Sequence, residues 1–284
     1  MGERSQLSIP PELAARARAL VAATSAGDGA WEPPPVRDAA TVVMVRDDVD
    51  GLHVYLQRRV RTMAFAAGMY VFPGGAVEPQ DVTAAAELRA DVVNAAAWPF
   101  LNRPTVSPGE DNLENRIAAV RETLEETSHD LGDPLTLAYV GHWVTPEVED
   151  RRFDTRFYAA EVVGEHHIHE NSGESDADRW VRPADALAES AAGRMLMLPP
   201  TTATLTDFAA QAESGARAAE AIAAIAARPI VPLMPSPAAD PRDPTGVRWR
   251  LVDFRDGTEI ARIGGPPAGS ESGGIHTSLG GDDG

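Results

Sequence analysis

Apolar and polar positions follow two alternating periods along this chain and predict strands interleaved with helices. Residues 41–46 and 53–59 are strand-like runs joined by a polar segment ending in Asp-Gly, which is typical of a β-hairpin. Further strands are predicted at 135–144 and 155–163, and a strand followed by a short helix at 176–187. Helices are predicted at residues 10–23, 82–97, 112–129 and 204–227, and a second hairpin at 249–263. This alternation predicts an α/β sandwich.

The predicted elements divide the chain into four segments. Residues 1–37 hold a helix and a Pro-rich linker, and residues 38–205 form the central domain. Residues 206–263 add a helix and a hairpin. Residues 264–284, rich in Gly, Ser and Asp, are expected to be disordered because they offer little apolar surface to bury.

The net charge and the absence of cysteine exclude several kinds of binding partner and metal site. All 25 basic residues are arginines, and 43 acidic residues leave a net charge of −18, which disfavours binding to nucleic acid or to an anionic membrane. The chain has no cysteine, so disulfides and thiolate metal sites are excluded. Without a long apolar run or a leader-like start, a cytoplasmic protein is expected, with a homodimer left open.

An acidic helix face is the strongest chemical signal. Within the predicted helix 112–129, Glu122, Glu125 and Glu126 fall on one side at about 100° per residue. The helix is expected to bury the opposite, apolar side: Ile117, Val120 and Leu124. Clustered carboxylates repel one another unless a cation neutralises them, and such oxygen ligands suit Mg²⁺ or Mn²⁺. A solvated acidic surface is the alternative interpretation.

A glycine-rich segment upstream, Phe-Pro-Gly-Gly at residues 72–75, supplies a second signal. Together with the acidic helix it resembles the Nudix hydrolase box: Gly, five residues, Glu, seven residues, then Arg-Glu-apolar-x-Glu-Glu-x-Gly-apolar. With Gly75 at the first glycine, Asp81 stands where the family has Glu, and about 32 extra residues precede Arg121. The predicted insertion covers residues 82–110. Ser128 and His129 replace the family's second glycine and last apolar residue.

The resemblance implies a Nudix-type α/β/α sandwich with a mixed central sheet, an inserted helix within the box, and extra elements at both ends. It also implies hydrolysis of a diphosphate bond in a small nucleoside diphosphate derivative. The implied ligands of Mg²⁺ or Mn²⁺ are the Gly75 carbonyl and the carboxylates of Glu122, Glu125 and Glu126, with Arg121 orienting a glutamate. The general base is either Glu122 or an acid of a later loop, Glu170 or Glu174. Asp81 either fills its box position or caps the inserted helix.

Residues before the glycine-rich segment are similar to the coenzyme A diphosphatase signature of one Nudix branch. Arg59, Gly68 and the Phe-Pro-Gly-Gly segment from Phe72 through Gly74 to Gly75 match it, whereas Ala64 stands where that signature has a second arginine. Arg58 is a further candidate for phosphate contact, since guanidinium groups bind phosphate well. Coenzyme A or an acyl derivative is therefore the first-choice substrate, ahead of NADH, ADP-ribose or a nucleotide sugar.

A second basic group follows the strand predicted at 135–144. Arg151, Arg152 and Arg156 flank an aromatic residue and resemble the same region of larger, peroxisomal-type coenzyme A diphosphatases. They are predicted to form a substrate-binding edge. A different class of function stays open, because the interrupted box also suits a regulatory module that binds a nucleotide without cleaving it.

Overall fold

A computed structural model describes residues 11–26, 31–60, 66–91, 112–164, 175–243 and 246–263. The helices within these ranges are α1 (Pro11–Ala26), α2 (Pro79–Asp91), α3 (Leu113–Thr127), α4 (Pro183–Ala191), α5 (Pro199–Glu213) and α6 (Ala218–Ala226). The strands are β1 (Val36–Asp48), β2 (Gly51–Arg59), β3 (Tyr70–Val71), β4 (Gly74–Ala76), β5 (Ala138–Val144), β6 (Arg152–Glu161), β7 (Ser175–Val181), β8 (Leu233–Ala239), β9 (Val247–Asp253) and β10 (Glu259–Ile263). A 3₁₀ turn, Pro134–Thr136, precedes β5.

The chain forms two compact units, the larger comprising residues 37–143 and 153–230. Its sheet has the order β5-β6-β1-β2-β3, with β4 beside β1 and β7 on β2. The predicted first hairpin is confirmed: β1 and β2 pair antiparallel, Asp48 opposite Gly51, and Gly51 takes a positive φ of 119°. A side chain would be strained there, so glycine suits the turn.

Both faces of the larger unit's sheet are covered, as an α/β sandwich requires. Ala40, Val42 and Met44 of β1 pack with Ala118 and Ala119 of α3 on one face. The intervening β1 residues, Val43 and Val45, are equally buried, and α4 contacts the neighbouring β2. The predicted α/β fold with a mixed central sheet is confirmed.

Helix α3 buries a different face from the one predicted. Leu124 is 45% exposed, and Ile117 and Val120 are only partly buried. The buried face carries small and polar residues: Leu113, Asn115, Arg116, Ala118, Ala119, Thr123, Glu126 and Thr127. Small side chains let the helix approach the sheet closely, and this close approach carries Glu126 inward with them. The prediction that α3 buries its apolar stripe was therefore wrong.

The smaller unit comprises residues 1–36, 144–152 and 231–284. Its antiparallel strands follow the order β8-β9-β10, and the last pair forms the hairpin predicted at 249–263. Helix α1 contributes Ala17 and Leu20 to a core with Val148, Val247 and Trp249. Strand β8, which contains two prolines, lacks a strand-like pattern and was not predicted.

Two further predictions from the sequence, a single long helix and an insertion, are only partly matched by the structure. The single helix predicted at 204–227 is two helices, because the chain breaks between α5 and α6 at Gly215, whose φ is +84°. The insertion predicted at 82–110 begins within α2, and residues 92–111 lie outside the described residues. The four-segment division of the chain stays a prediction. Within the described ranges, no helix combines the length and apolarity needed to cross a bilayer.

Candidate active site

The glycine-rich segment is held in place by β1. Thr41 Oγ1 donates to the Pro73 carbonyl at 2.6 Å, and the Val42 N–H donates to the same oxygen at 2.9 Å. Gly74 then pairs with Thr41 as β4 begins, with φ at +151°, and a Cβ there would lie 2.3 Å from the Ala40 carbonyl oxygen. Only glycine fits this close approach of two backbones.

Gly75 lies directly against α3. A Cβ built on Gly75 would lie 2.2 Å from Oε1 of Glu122, so the Glu122 carboxyl fills the space that any side chain would need. The next turn of α3 makes a second contact, since the Gly74 N–H donates to Glu126 Oε2 at 2.9 Å. The structure thus joins the two halves of the interrupted box, 52 residues apart at this bond.

Arg121 links the acidic residues on this side of α3. Its guanidinium makes a bidentate pair with Asp81, both distances 2.9 Å, and donates to Glu122 Oε1 at 2.9 Å. It also reaches Glu125 Oε2 at 3.2 Å and the Ala76 carbonyl at 3.1 Å. The hydrogen bond to Asp81 is the main reason that the pKa of Arg121 is raised, so this side chain stays charged.

Asp81 combines the two roles that the sequence left open. Helix α2 begins at Pro79, three residues earlier than predicted, so Asp81 lies in its first turn, and Asp81 Oδ2 accepts from the Glu78 N–H at 2.7 Å as a capping contact. The same carboxylate binds Arg121, and its side chain is 1% exposed. One buried acid therefore fixes the start of α2 and orients the arginine of α3.

Burial raises the pKa of two box glutamates. Glu126 is 6% exposed, and desolvation raises its pKa to about 7, opposed by the hydrogen bonds from Gly74 and Gln57. Desolvation also raises the pKa of Glu122, opposed chiefly by Arg121. Glu125 is far less buried than either, with 56% of its side chain exposed.

The oxygen donors of the box suit a hard divalent cation by their chemistry, but they do not all lie together in this structure. Gly75 brings its backbone against Glu122, and Glu126 is a buried carboxylate close to the same loop. These are the oxygen donors that Mg²⁺ and Mn²⁺ prefer. In the part of the chain that the structure describes, however, no three Asp, Glu or His side chains form a complete metal-binding cluster. Glu125, engaged with Arg121 at the surface, stands apart from the other two.

The substrate-binding candidates from the upstream signature are dispersed. Arg59 lies close enough to Glu126 for its charge to oppose the rise of that pKa. Arg58 and Gly68 instead line a cavity of about 360 Å³ with Ala67 and Leu196. Phe72 is 4% exposed and belongs to the core, so its part in the segment is packing.

The later basic group does not form one surface. Arg152 is 5% exposed and donates to the carbonyls of Thr145 and Pro34, both within the smaller unit. Arg156 is 6% exposed and pairs with Asp38 and Asp154 of the larger unit. Only Arg151 of the three has an exposed side chain. The prediction of a substrate-binding edge was wrong for two of these arginines, because they are buried and donate hydrogen bonds to acceptors inside the protein. Glu170 and Glu174 lie outside the described residues, and so does Ala64.

Gln57 is a site residue that the sequence argument missed. It lies in β2, is 2% exposed, and its Nε2 donates to Glu126 Oε2 at 2.6 Å. A polar residue directly after the apolar run Val54-Tyr55-Leu56, and directly before the Arg58-Arg59 pair, was the available signal.

Solved structures similar to this chain bear on its fold. A Nudix hydrolase from Alicyclobacillus acidocaldarius superposes with a TM-score of 0.53 at 27% identity, covering 67% of this chain and 96% of that one. A MutT protein from Methanosarcina mazei Go1 gives 0.37 at 19% identity, with 64% and 96% covered, and one from Bacillus halodurans gives 0.40 at 15%, with 76% and 97% covered. The last two are too distant to carry an argument.

No protein-family model matches the sequence, and no curated protein matches it significantly. The assignment therefore rests on the Alicyclobacillus likeness and on the joined halves of the box. Together they show that this chain has the Nudix fold and support its placement in the Nudix hydrolase family.

Proposed function

We propose that this protein is a divalent-cation-dependent hydrolase of a phosphorus-containing anhydride, with coenzyme A or an acyl derivative as first-choice substrate. The observation that carries the proposal is the contact of Glu122 and Glu126 with the Gly74-Gly75 backbone. The Alicyclobacillus Nudix hydrolase likeness supports the general activity. The choice of substrate rests on the residues that match the coenzyme A diphosphatase signature.

The reaction needs water to replace one bridging bond of a diphosphate. The water oxygen bonds to one phosphorus, the bond from that phosphorus to the bridging oxygen breaks, and the other phosphate leaves with the bridging oxygen. A bound Mg²⁺ or Mn²⁺ would supply charge stabilisation and a lowered pKa for its water. Glu122, Glu126 and the Gly75 carbonyl would hold that ion. Glu125, which accepts from Arg121 through Oε2, would be the third carboxylate ligand.

The residues of this chain have separate tasks in this proposal. Arg121 keeps Glu122 in place through the bond at 2.9 Å, and is itself fixed by Asp81. Glu122, or Glu174 of the later loop, would accept the proton of the attacking water. Arg59, whose charge acts on Glu126, would bind a substrate phosphate beside the ion. Arg58 and Gly68 would contact the substrate from their own cavity, and Arg151 is the member of the later group with an accessible side chain.

A substrate panel tests the proposal. Coenzyme A, acetyl-coenzyme A, NADH, ADP-ribose and a nucleotide sugar would be incubated with Mg²⁺ or Mn²⁺ in ¹⁸O-labelled water, and products identified by mass spectrometry. Release of 3′,5′-ADP and phosphopantetheine, one of them labelled, is the expected result. Turnover restricted to sugar nucleotides would replace the first choice of substrate. Tight binding without any product would instead favour the regulatory module.

A further inference from the structure

Gln57 is a buried amide whose polarity has a cost. Its side chain is 2% exposed, and its Oε1 has no hydrogen-bond partner among the described residues. Leaving such a group unpaired costs about 1–3 kcal/mol. An apolar residue of similar length would fill the same space without that cost, so the amide is explained by what its other end contacts.

The other end of Gln57 contacts Glu126. An ionised carboxylate only accepts hydrogen bonds, so the NH₂ group of the amide must face it. Gln57 Nε2 and the Gly74 N–H both donate to Oε2, at 2.6 and 2.9 Å. In the described part of the chain, no hydrogen bond to Oε1 of Glu126 is found. One oxygen is therefore held by two donors while the other stays available.

The kind of donor matters as much as its position. Gln57 and the Gly74 N–H are neutral, so they orient Glu126 without adding a positive charge beside it. Glu122 is held differently, by the charged guanidinium of Arg121 at 2.9 Å. A carboxylate fixed by neutral donors keeps more of its attraction for a cation than one bonded directly to a guanidinium, although the charge of Arg59 also acts on Glu126.

We propose that Gln57 is a positioning residue that fixes Glu126 through Oε2 and so presents Oε1 to the divalent cation. The inference rests on the proposed function, since it assumes that Glu126 is a ligand. Partners that orient a metal ligand change metal affinity or activity about 10- to 100-fold when they are removed. Gln57 thus determines cation affinity without contacting the diphosphate.

The test is Gln57→Met, with Mn²⁺ binding measured directly by electron paramagnetic resonance and stability by thermal unfolding. Met is unbranched and similar in length, so it fills the site without donating. We expect the dissociation constant for Mn²⁺ to rise about tenfold or more. The melting temperature without metal should change little, because removal of the unpaired Oε1 offsets the loss of the hydrogen bond to Glu126. KM for the diphosphate at saturating Mn²⁺ should stay close to the wild-type value. Gln57→Leu provides a second apolar variant should Met pack poorly.

Asn115→Leu is the matched control. Asn115 is another fully buried amide, with an unpartnered Oδ1, but its Nδ2 donates to the Ala39 carbonyl at 2.8 Å instead of to a carboxylate. This variant should lose stability and keep its Mn²⁺ affinity. Equal weakening in both variants, or unchanged affinity in a folded Gln57→Met protein, would overturn the inference. A wild-type protein that neither binds Mn²⁺ nor turns over any diphosphate would overturn the proposed function itself.

Discussion

Replacing Glu126 by Gln should stabilise the metal-free protein at alkaline pH while abolishing turnover. Burial raises the pKa of Glu126 from 4.5 to about 7. A raised carboxyl pKa means that the folded state holds its proton more tightly than the unfolded state. The contribution of Glu126 to stability is therefore fully present below pH 4.5, falls between pH 4.5 and 7, and is lost above pH 7.

The size of the effect follows from the same values. At about 1.4 kcal/mol for each tenfold change in the acid dissociation constant, the shift to about 7 corresponds to about 3 kcal/mol. The shift already includes the bonds that Gly74 and Gln57 make to the carboxylate, and the amide oxygen of Gln can still accept from both. The net gain above pH 7 is then about 3 kcal/mol, or roughly 6–12 °C in melting temperature for a unit of this size.

Differential scanning fluorimetry in a metal chelator, from pH 5 to 8.5, measures this difference. The melting temperatures of wild type and Glu126→Gln should diverge as pH rises, with the variant higher at pH 8.5. Saturating Mn²⁺ should stabilise the wild type more than the variant, and turnover of the variant should fall at least about 100-fold. A stability difference independent of pH, or a less stable variant at pH 8.5, would refute the assignment of a buried, costly charge to Glu126.

Three other substitutions test the surrounding contacts. Gly75→Ala should reduce kcat by about 100-fold in a steady-state assay, because the new Cβ occupies the place of the Glu122 carboxyl. Asp81→Asn should destabilise the fold by about 1–3 kcal/mol in urea and lower kcat as well, since it removes the charge that fixes Arg121. Ser128→Gly should raise stability by about 0.5 kcal/mol with unchanged kinetics, because Ser128 ends α3 at a φ of +58°.

Controls separate strain from chemistry in these variants. Gly141→Ala places a Cβ 3.5 Å from Cβ of Phe157, an ordinary contact, so it should leave both activity and folding intact. If Gly75→Ala behaves the same way, the closeness of Glu122 to the loop has no catalytic meaning. If Asp81→Asn and the wild type have the same midpoint of urea unfolding, the ion pair between Asp81 and Arg121 makes no measurable contribution to stability. A destabilised Ser128→Gly would mean that the entropy of glycine outweighs the relieved strain.

The box could be located from the sequence because each of its two halves resembles the family pattern, although about 32 inserted residues interrupt the spacing. Gly75, Glu122 and Arg121 lie together in the structure although Gly75 is farther from the other two along the chain than the family pattern allows. The orientation of α3 could not be read the same way. Leu124 is exposed and Glu126 buried, since donors on β2 and the glycine loop can satisfy a carboxylate that periodicity assigns to solvent. The hydrophobic pattern of a helix indicates which face tends to be buried. Hydrogen bonds from segments distant in sequence can outweigh this tendency.

Arginine roles were the least predictable part of the site. Arg152 and Arg156 stand near Arg151 in sequence, but strand geometry and internal carbonyls or acids bury two of them. A cluster in sequence becomes a cluster in space only when its members share a face and lack nearer acceptors. Asp81 illustrates the converse, because its capping and arginine-binding roles are compatible and one carboxylate performs both.

Two ion pairs join α2 to α3 at separate points. Asp81 holds Arg121, and Arg89 holds Glu114 with distances of 2.7 and 2.8 Å. Because Asp81 and Arg89 lie near opposite ends of α2, the two pairs fix the direction of α2 against α3 as well as its distance. The glycine loop and the acidic helix therefore stay in register through side chains of these two helices, and this alignment does not depend on the number of residues that separate Asp91 from Leu113.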